Sequence, residues 1–345
     1  MNVCVTGGSG FIGSYFSQRL RADGHHVTIL DLVDPPEGTA CDRFVKGDLR
    51  DPKACAAAVR NCARVIHLAA AHHDFGIPES TFYAVNEDGA RVLSAAMDDA
   101  SITDLCYYSS VAVYGDAPGE LDEAKTPQPN SPYGGSKLKG ERVLKEWTEK
   151  GGGRRCLVIR PTVTFGPRNF ANMYSLIRQI YTKKFLFVGD GSNIKSLSYV
   201  ENIVDATFYL LALENRPPFD LYNYVEKPDF TSRQISLAIF DSLGRRAPRF
   251  HIPMWLARLA ALPFDAVIAL TGKNLPVSGA RIQKLFATQT KFEADKVRRA
   301  GFVPKVALGE GILRMVRWYE VEGRHLEAKW NLPPDAVAPL LTADA

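Results

Sequence analysis

The amino-acid sequence predicts an α/β protein, in which a doubly wound parallel sheet is followed by a smaller mixed, mostly helical portion. Two observations support this fold class. Short apolar strands alternate with amphipathic helices through the first half of the chain, which is typical of βαβ units and a parallel sheet. After Pro161 the rhythm changes to shorter strands and a largely helical remainder, which we expect to lie over the carboxyl edge of the sheet.

The strands and helices follow in regular order along the chain. Strands are predicted at residues 2–6, 26–31, 43–48, 64–70, 105–110 and 155–161. Helices are predicted at residues 11–24, from 52, at about 79–97 and from 131. In the second half we predict a helix at 171–184, then strand, turn, strand and helix over 185–213, and mostly helices up to about residue 322.

These elements divide the chain into two functional portions. Residues 1–165 are predicted to form a dinucleotide-binding domain, to which residues 192–225 return. Residues 166–191 and 226–325 are predicted to form the substrate-binding portion. The last segment, 326–345, is polar and contains prolines, so we expect a loosely ordered tail.

The composition disfavours several classes of protein. The chain has 345 residues, of which 46% are hydrophobic and 23% charged, as in ordinary globular proteins. Its net charge of +4 is not gathered into a block of Lys or Arg, which argues against nucleic-acid binding. The six cysteines form no CxxC pair, so we expect buried thiols in a reducing compartment.

The apolar segments predict a cytoplasmic protein. The N-terminal residues have the pattern of a β-strand and lack that of a signal peptide. The most apolar long stretch, 252–270, is interrupted by Arg258, Pro263 and Asp265, which disfavours a membrane-spanning helix. A partly buried helix pair is favoured there over an interfacial membrane helix, so we do not expect membrane association.

A glycine triplet and an aspartate indicate a nicotinamide cofactor. Gly7, Gly10 and Gly13 lie between the first strand and the first helix, where glycines permit a tight turn and close approach of a phosphate. Asp31 ends the second strand, 18 residues after Gly13. A carboxylate there accepts hydrogen bonds from an adenosine ribose and repels a 2′-phosphate. The pattern predicts a Rossmann-type site that prefers NAD to NADP.

Three further aspartates lie near this site. Asp48 follows the third strand, where its side chain could reach the adenine, with a helix cap as the alternative role. Asp51 suits the cap better because it directly precedes Pro52, and proline is favoured at the first helical position. Asp34 is expected to lie in a solvated loop.

The stretch SPYGGSK, residues 131–137, places Tyr133 and Lys137 on one face of a helix that opens with a Ser-Pro start signal. Lowering the pKa of a tyrosine from about 10 to about 7 takes about 4 kcal/mol. One cation at about 4 Å supplies that much in an effective dielectric of about 20. Tyr133 is therefore a candidate base for a substrate alcohol, and Ser110, at the same sheet edge, could hydrogen-bond the reacting oxygen.

Together the motifs resemble a known family, the extended short-chain dehydrogenase/reductases, also called the NAD-dependent epimerase/dehydratase family. The resemblance covers roughly residues 1–320 and lies in TGGSGFIGS, GDLRD, HLAA, VNEDGA, SSVAVYG, PYGGSK, RPTVTFGP and GDGSNIKSLSYVENIVDA. It implies catalytic roles for Ser110, Tyr133 and Lys137. The cofactor-binding residues that it implies are Gly7, Gly10, Phe11, Ile12, Gly13, Asp31, Asp48, Leu49, Leu68, Ala69, Ala70, Asn86, Ser109, Tyr133, Lys137 and Pro161.

The residues after the catalytic hydroxyl narrow the chemistry within this family. Members that dehydrate nucleotide sugars carry an acidic pair there, and decarboxylases carry a glutamate. Val111 and Ala112 follow Ser110 here, so both reactions are disfavoured. Asn86 matches a family position near the cofactor, with a helix cap or a buried amide as the alternative role.

The favoured activity is that of an NAD-dependent nucleotide-sugar 4-epimerase acting on a nucleoside-diphosphate sugar. Such an enzyme binds the diphosphate firmly, and the candidates for binding it are Arg168, Asn172 and Lys195. Ser110 is expected to contact the substrate through the reacting oxygen. Asn172 resembles an asparagine that contacts the diphosphate in sugar epimerases. Lys195 stands where they usually carry an arginine, which has a bidentate fork that lysine lacks. A solvated charge or a cap is the alternative role for Arg168, Asn172 and Lys195.

The stretch around His72 and His73 is similar to epimerases from bacterial polysaccharide clusters, and both histidines could line the cofactor pocket. We expect no metal, because no cysteine or carboxylate stands at ligand spacing. The resemblance also implies a homodimer, packed through two helices per subunit that include the one carrying Tyr133.

A 3β-hydroxysteroid-type dehydrogenase acting on a hydroxy-lipid is the main alternative. YVENIVDA with Asn202, and the apolar segment 252–270 followed by LTGKNLPVSGARIQKL, resemble that branch of the family. Another sugar-nucleotide oxidoreductase is a further alternative. A regulatory module with a decayed site is disfavoured because Ser110, Tyr133 and Lys137 are all present.

Overall fold

Seven parallel strands form the central sheet of the computed structural model, which describes residues 1–72, 77–117, 119–271, 289–326 and 334–335. The strands of the protein are β1 (Asn2–Thr6), β2 (His26–Asp31), β3 (Arg43–Lys46), β4 (Arg64–His67), β5 (Asp104–Tyr108), β6 (Arg155–Pro161), β7 (Val163–Phe165), β8 (Phe187–Val188), β9 (Ile194–Lys195), β10 (Leu197–Tyr199), β11 (Phe219–Tyr224), β12 (Phe230–Thr231) and β13 (His251–Ile252). The sheet runs in the order β11, β6, β5, β4, β1, β2, β3, and every neighbouring pair is parallel.

Helices connect these strands. They are α1 (Phe11–Ala22), α2 (Pro52–Val59), α3 (Glu79–Tyr83), α4 (Gly89–Asp99), α5 (Pro132–Glu149), α6 (Asn172–Tyr181), α7 (Val200–Leu211), α8 (Ser232–Ser242), α9 (Met254–Thr271), α10 (Asp295–Arg299) and α11 (Leu308–Val321). A π-helical turn, Ala84–Asp88, joins α3 to α4, and a 3₁₀ turn, Val111–Tyr114, follows β5.

The helices cover both faces of the sheet, which confirms the doubly wound fold class. On one face, Phe16 of α1 and Ile203 of α7 pack into the same buried cluster as the strand residues Val3 and Ile29. On the other face, α2, α4 and α5 form a second buried cluster with the opposite sides of the same strands. Burial on both faces explains why the central strands are continuous apolar runs.

The chain after β6 forms a smaller portion with its own core. Three pairs of short strands, β7 with β10, β8 with β13 and β9 with β12, support α6, α8 and α11. Their apolar side chains make a third buried cluster that includes Phe165, Ile177, Ile239 and Ile312. This portion follows directly from the carboxyl end of β6, where the sheet edge lies.

Two parts of the second half differ from the sequence prediction. The sequence does not assign a strand to residues 219–224, yet β11 pairs along β6 from Cys156 to Pro161 and buries Tyr222 and Tyr224. Residues 252–270 are not a helix pair, because α9 continues through Pro263. Proline removes one backbone hydrogen bond of a helix, and in α9 that loss does not end the helix.

Several expectations fall on residues that the structure does not describe: His73, most of LTGKNLPVSGARIQKL, and most of the tail 326–345. Within the tail, Asp335 accepts hydrogen bonds from Arg50 and Thr81. In the described part of the chain, no helix combines the length and the apolar character needed to cross a bilayer.

Candidate active site

The turn after β1 is held in a conformation that requires glycine. Gly7 has a φ of +71°, and a Cβ on it would lie 2.6 Å from the backbone N of Ala69. A Cβ on Gly13 would lie 2.3 Å from the carbonyl O of Gly7. Gly10 donates its N–H to that same carbonyl, at 3.1 Å. The loop therefore presents the N-terminus of α1, a natural anion-binding site, at the edge of the sheet.

Of the other expected cofactor residues at this edge of the sheet, Leu68 and Ala69 lie beside the glycine loop. The N–H of Leu68 donates to the carbonyl O of Thr6 at 3.0 Å, and the N–H of Ala69 donates to its Oγ1 at 3.3 Å. These bonds hold the end of β4 against the end of β1. The remaining residues of this group are Ala70, which follows them, Phe11 and Ile12 at the start of α1, and Pro161 at the end of β6.

Asp31 lies at the end of β2 against the glycine loop. Its Oδ2 accepts the N–H of Ser9 at 3.0 Å, and its Oδ1 accepts the N–H of Val33 at 3.3 Å. Burial raises the pKa of Asp31 to about 6, although these backbone donors lower it. A carboxylate with two bonds keeps acceptor capacity for ribose hydroxyls. The residues around the first βα turn therefore fit an NAD dinucleotide.

Asp48 and Leu49 make contacts within the protein that the sequence does not predict. The carboxylate of Asp48 accepts from Nε of Arg50 at 3.1 Å and from its Nη2 at 2.7 Å. The side chain of Leu49 is buried against α4. Asp51 caps α2 as predicted, accepting the N–H of Lys53 at 2.9 Å. An adenine contact by Asp48 stays a prediction, and the side chain would have to share its carboxylate with Arg50.

Ser110 and Tyr133 belong to two segments that pack closely. The Oγ of Ser110 accepts the N–H of Ala112 at 3.1 Å, which leaves its hydroxyl proton available for donation. Ser131 caps α5 as the sequence predicts, accepting the N–H of Gly134 at 3.1 Å. A Cβ on Gly134 would lie 2.3 Å from the carbonyl O of Ala112. The glycine after Tyr133 therefore lets the first turn of α5 meet the turn that Ser110 begins.

Lys137 lies one helical turn after Tyr133 and is buried. Its Nζ is 4.3 Å from the centroid of the Tyr107 ring. Burial lowers the pKa of Lys137 to about 7, against the carboxylate of Glu141, which raises it. Burial, with the charge of Lys137, also lowers the pKa of His67 to about 3, so this imidazole is neutral. Lys137 thus exchanges its proton near neutral pH, which is typical of functional sites.

Glu141 and Arg160 form a buried ion pair next to Ser109. The two carboxylate oxygens of Glu141 accept from Nε and Nη2 of Arg160 at 2.8 and 2.6 Å. The hydroxyl of Ser109 donates to the same carboxylate, and the guanidinium of Arg160 donates to the hydroxyl of Tyr114 at 2.8 Å. The Ser109 side chain is therefore turned toward this network, and a cofactor contact by Ser109 stays a prediction.

Asn86 links the loop after β4 to α5. Its Oδ1 accepts the N–H of Ala71 at 2.9 Å, and its Nδ2 donates to the carbonyl O of Ala71 at 3.0 Å and to Oγ of Ser136 at 2.9 Å. This is the buried amide that the sequence offers as one of its two roles. Asn86 therefore fixes the loop after β4 to α5. In the same loop, Nδ1 of His72 lies 3.2 Å from the carbonyl O of Ala70.

The residues expected to hold a diphosphate lie on three separate segments. Arg168, with a φ of +72°, lies in a loop tied to α1, because the hydroxyl of Tyr15 donates to the carbonyl O of Pro167 at 2.9 Å. Asn172 is exposed and begins α6. Lys195 lies in β9, opposite Phe230 of β12. The structure thus places Arg168 near the cofactor end of the site and Lys195 on a small sheet of the second portion.

Sequence reasoning misses the groups beneath the tyrosine and the lysine: Tyr107, His67, Glu141 and Arg160. Only Glu141 carries a signal, since it follows Lys137 by four residues and so shares its helix face. Within the described ranges, no cluster of three His, Cys, Asp or Glu side chains is suited to a metal ion.

The comparison with known families rests on more than half of the chain. The model of the NAD dependent epimerase/dehydratase family matches residues 3–224. The chain belongs to this family. It is therefore an NAD-dependent enzyme, as the glycine loop and Asp31 predict.

Relatives of known activity extend the match beyond the cofactor domain. The N-acetyl-alpha-D-glucosaminyl-diphospho-ditrans,octacis-undecaprenol 4-epimerase of Escherichia coli O157:H7 is 38% identical over 328 residues, covering 94% of this chain and 96% of that protein. The 3beta-hydroxysteroid-dehydrogenase/decarboxylase isoform 2 of Arabidopsis thaliana is 28% identical, covering 90% of this chain and 61% of that protein.

Solved structures agree on the fold. The UDP-glucose 4-epimerase of Thermus thermophilus, in complex with NAD, superposes with a TM-score of 0.71 at 23% identity, covering 93% of this chain and all of that one. DesIV, a dTDP-glucose 4,6-dehydratase from Streptomyces venezuelae with NAD bound, gives a TM-score of 0.74 at 24% identity, covering 95% of this chain and 99% of that one. At this identity the likeness establishes the architecture alone.

Proposed function

We propose that the protein is an NAD-dependent 4-epimerase of a sugar carried on a diphosphate. The observation that carries the proposal is the 38% identity, along almost the whole of both chains, with a relative named as a 4-epimerase of a diphospho-linked N-acetylglucosamine. The turn after Ser110 supports it, since Val111 and Ala112 supply no general acid for a dehydration.

The chemistry at carbon 4 of the sugar needs an alcohol proton removed and later returned. Bound NAD supplies the acceptor and donor of the hydride. Tyr133 is the proposed base, and the ammonium of Lys137 stabilises its phenolate, because a positive charge within a few ångströms favours the ionised form. Ser110 donates a hydrogen bond to the same sugar oxygen. When the keto-sugar has turned over, the Tyr133 phenol returns the proton and the configuration at carbon 4 is inverted.

The diphosphate is proposed to bind where the second portion meets the sheet edge. The N-terminus of α6 carries a partial positive charge, and Asn172 adds an amide donor there. Arg168 supplies a guanidinium on the loop before it, and Lys195 a second charge from β9. An enzyme that grips the diphosphate can let the sugar turn, which non-stereospecific return of hydride requires.

A hydroxysteroid-type dehydrogenase is the second candidate. It is favoured by the relatives of that kind, among them the sterol-4-alpha-carboxylate 3-dehydrogenase of Mus musculus, 25% identical over 91% of this chain. The same tyrosine and lysine would act, but hydride would remain on the cofactor. The two reactions differ in whether NADH accumulates.

The deciding experiment offers the purified protein three substrates with NAD: UDP-N-acetylglucosamine, N-acetylglucosaminyl-diphospho-polyprenol in detergent micelles, and a 3β-hydroxysteroid. The proposal predicts that the 4-epimer forms from a diphospho-sugar while absorbance of NADH shows no lasting rise. A stoichiometric rise with the steroid, and no epimer from either sugar, would contradict it.

The quaternary structure and location are proposals too. A homodimer packed through two helices per subunit, of which α5 is one, is expected from the family resemblance, and a cytoplasmic location is expected from the sequence. Analytical ultracentrifugation of the purified chain measures the oligomeric state. A sedimenting species of monomer mass at micromolar concentration would exclude a stable dimer.

A further inference from the structure

Helix α9 buries two of its alanines and exposes most of its large apolar side chains. Ala257 and Ala261, one turn apart, are buried. On the outer side Trp255 is 68% exposed and Leu259 is 54% exposed, and Leu256, Leu262 and Phe264 are exposed as well. A surface helix of a globular protein normally has the opposite pattern. Trp255, Leu259 and Leu262 are spaced at i, i+4 and i+7, so they share one face of α9. Large apolar groups gathered on an exposed face mark an interaction site.

The strand pair beside α9 extends this face. β8 and β13 are parallel neighbours, and Leu186 and Phe250 immediately precede them. Leu186 is 57% exposed and Phe250 88% exposed. We call the following seven residues the apolar surface: Leu186, Phe250, Trp255, Leu256, Leu259, Leu262 and Phe264.

Cations border the apolar surface. The two segments that lead into β8 and β13, residues 182–188 and 243–252, contain no Asp or Glu. They contain five basic residues, which are Lys183, Lys184, Arg245, Arg246 and Arg249. The guanidinium of Arg245 donates to the carbonyl O of Ile180 and of Tyr181. The carboxylates of Asp190 and Asp241 lie just outside these segments. The border is therefore basic.

This combination fits an anionic bilayer better than a second copy of the chain. An isologous interface would bring the same cations of both copies together, and like charges at an interface are unfavourable. An anionic membrane supplies the opposite charge, while apolar and aromatic side chains enter the boundary between headgroups and acyl chains. Because α9 is not a spanning helix, such contact leaves the protein lying on the membrane surface.

We propose that the apolar surface docks the enzyme on an anionic lipid bilayer, and that the diphospho-sugar it epimerises is therefore carried by a membrane lipid. The second clause rests on the proposed function. The docking element belongs to the substrate-binding portion, since β8 leads through a short loop to β9 and Lys195. An enzyme held this way has its diphosphate-binding end beside the lipid headgroups. The proposal differs from the expectation from sequence that the protein does not associate with a membrane.

The test is co-sedimentation of the full-length protein with vesicles of phosphatidylcholine containing about one-third phosphatidylglycerol, against phosphatidylcholine alone. The test variant is Trp255→Glu/Leu259→Glu. Val303→Glu/Val321→Glu is its matched control, because Val303 and Val321 are 76% and 74% exposed outside the apolar surface. We expect the wild type and the control to bind the anionic vesicles. The affinity of the test variant for these vesicles should be lower by about tenfold or more. Lys183→Gln/Lys184→Gln should reduce the additional binding that phosphatidylglycerol produces and should leave binding to phosphatidylcholine vesicles unchanged.

Tryptophan fluorescence gives a second readout. Trp255 is exposed whereas Trp147 is buried, so anionic vesicles should shift the emission to shorter wavelength, and Trp255→Phe should remove that shift. Wild-type protein that does not bind vesicles would overturn the proposal. So would equal binding by wild type and test variant, or self-association through the apolar surface without vesicle binding.

Failure of the docking proposal and failure of the proposed function give different results. If only docking is wrong, the wild type epimerises a micellar lipid-linked sugar but does not bind vesicles. If only the epimerase assignment is wrong, vesicle binding is lost in the test variant as expected, but no diphospho-sugar is turned over. If both hold, the test variant keeps its rate on micellar substrate and loses it on vesicle-borne substrate.

Discussion

The ammonium of Lys137 lies over the face of the Tyr107 ring, with 4.3 Å between Nζ and the ring centroid. The negative face of an aromatic ring stabilises a cation in a site that has lost its water. Burial lowers the pKa of Lys137 to about 7, and the carboxylate of Glu141 opposes this. The contact is therefore part of what keeps a usable positive charge beside Tyr133 near neutral pH.

Lys137→Met should move the acidic limb of the kcat–pH profile upward. The phenol of Tyr133 loses its nearby cation, so its pKa rises and activity appears only at higher pH, by about one unit or more. Methionine preserves the length and the apolar stem of the side chain. Initial rates from about pH 5 to about pH 9 measure the limb. Lys139→Met, on the exposed side of the same helix, is the control, and an acidic limb that stays in place would refute the electrostatic account.

Asp31 makes NAD binding depend on pH. With a pKa of about 6, the carboxylate is ionised at pH 7.5 and becomes protonated as the pH falls through 6, which removes an acceptor for the ribose hydroxyls. NAD affinity should therefore fall between about pH 7 and about pH 5. Isothermal titration with NAD measures this. The Asp31→Asn variant should bind NAD weakly at every pH in that range.

Asp31→Ala should also narrow the preference for NAD over NADP, because the repulsion of a 2′-phosphate is lost. Asp34→Asn is the matched control, since Asp34 is an exposed partner of Lys46 at 3.0 Å. An unchanged ratio of NAD to NADP affinity in Asp31→Ala would exclude the ribose role.

Glu141→Gln should destabilise the fold by about 3–5 kcal/mol, because it leaves the guanidinium of Arg160 buried without its counter-charge. Urea unfolding at neutral pH measures the free energy. Glu149→Gln is the control: its partner Lys145 is 4.0 Å away and both are exposed, so about 0–1 kcal/mol is expected. Equal effects of the two substitutions would show that the buried pair is not structural.

The fold, the glycine turn and the helix caps are largely predictable from sequence because all of them follow from local patterns. Gly7 and Gly13 occupy positions where a Cβ would collide with backbone, so the requirement for glycine is visible in the motif itself. The cap by Ser131 and the cap by Asp51 are set by the proline that follows each of them. Alternation of strand and helix then determines the parallel sheet.

The network behind the candidate catalytic residues is not predictable in this way. Glu141 and Arg160 are 19 residues apart, on α5 and β6, and only packing of that helix on the sheet joins them. The orientation of α9 is a second example. Its apolar composition predicts burial, but the small residues Ala257 and Ala261 face inward, and a count of apolar residues cannot distinguish the two faces of a helix that is apolar all round.

The most direct test of the central claim is the rate of epimerisation by Tyr133→Phe, with NAD binding measured in parallel. The account predicts that the wild type interconverts the 4-epimers of a diphospho-sugar from both directions. The variant should retain NAD but lose about a thousandfold or more in kcat, because no phenolate remains to take the alcohol proton. Turnover by Tyr133→Phe at the wild-type rate would contradict the assignment of Tyr133 as the base.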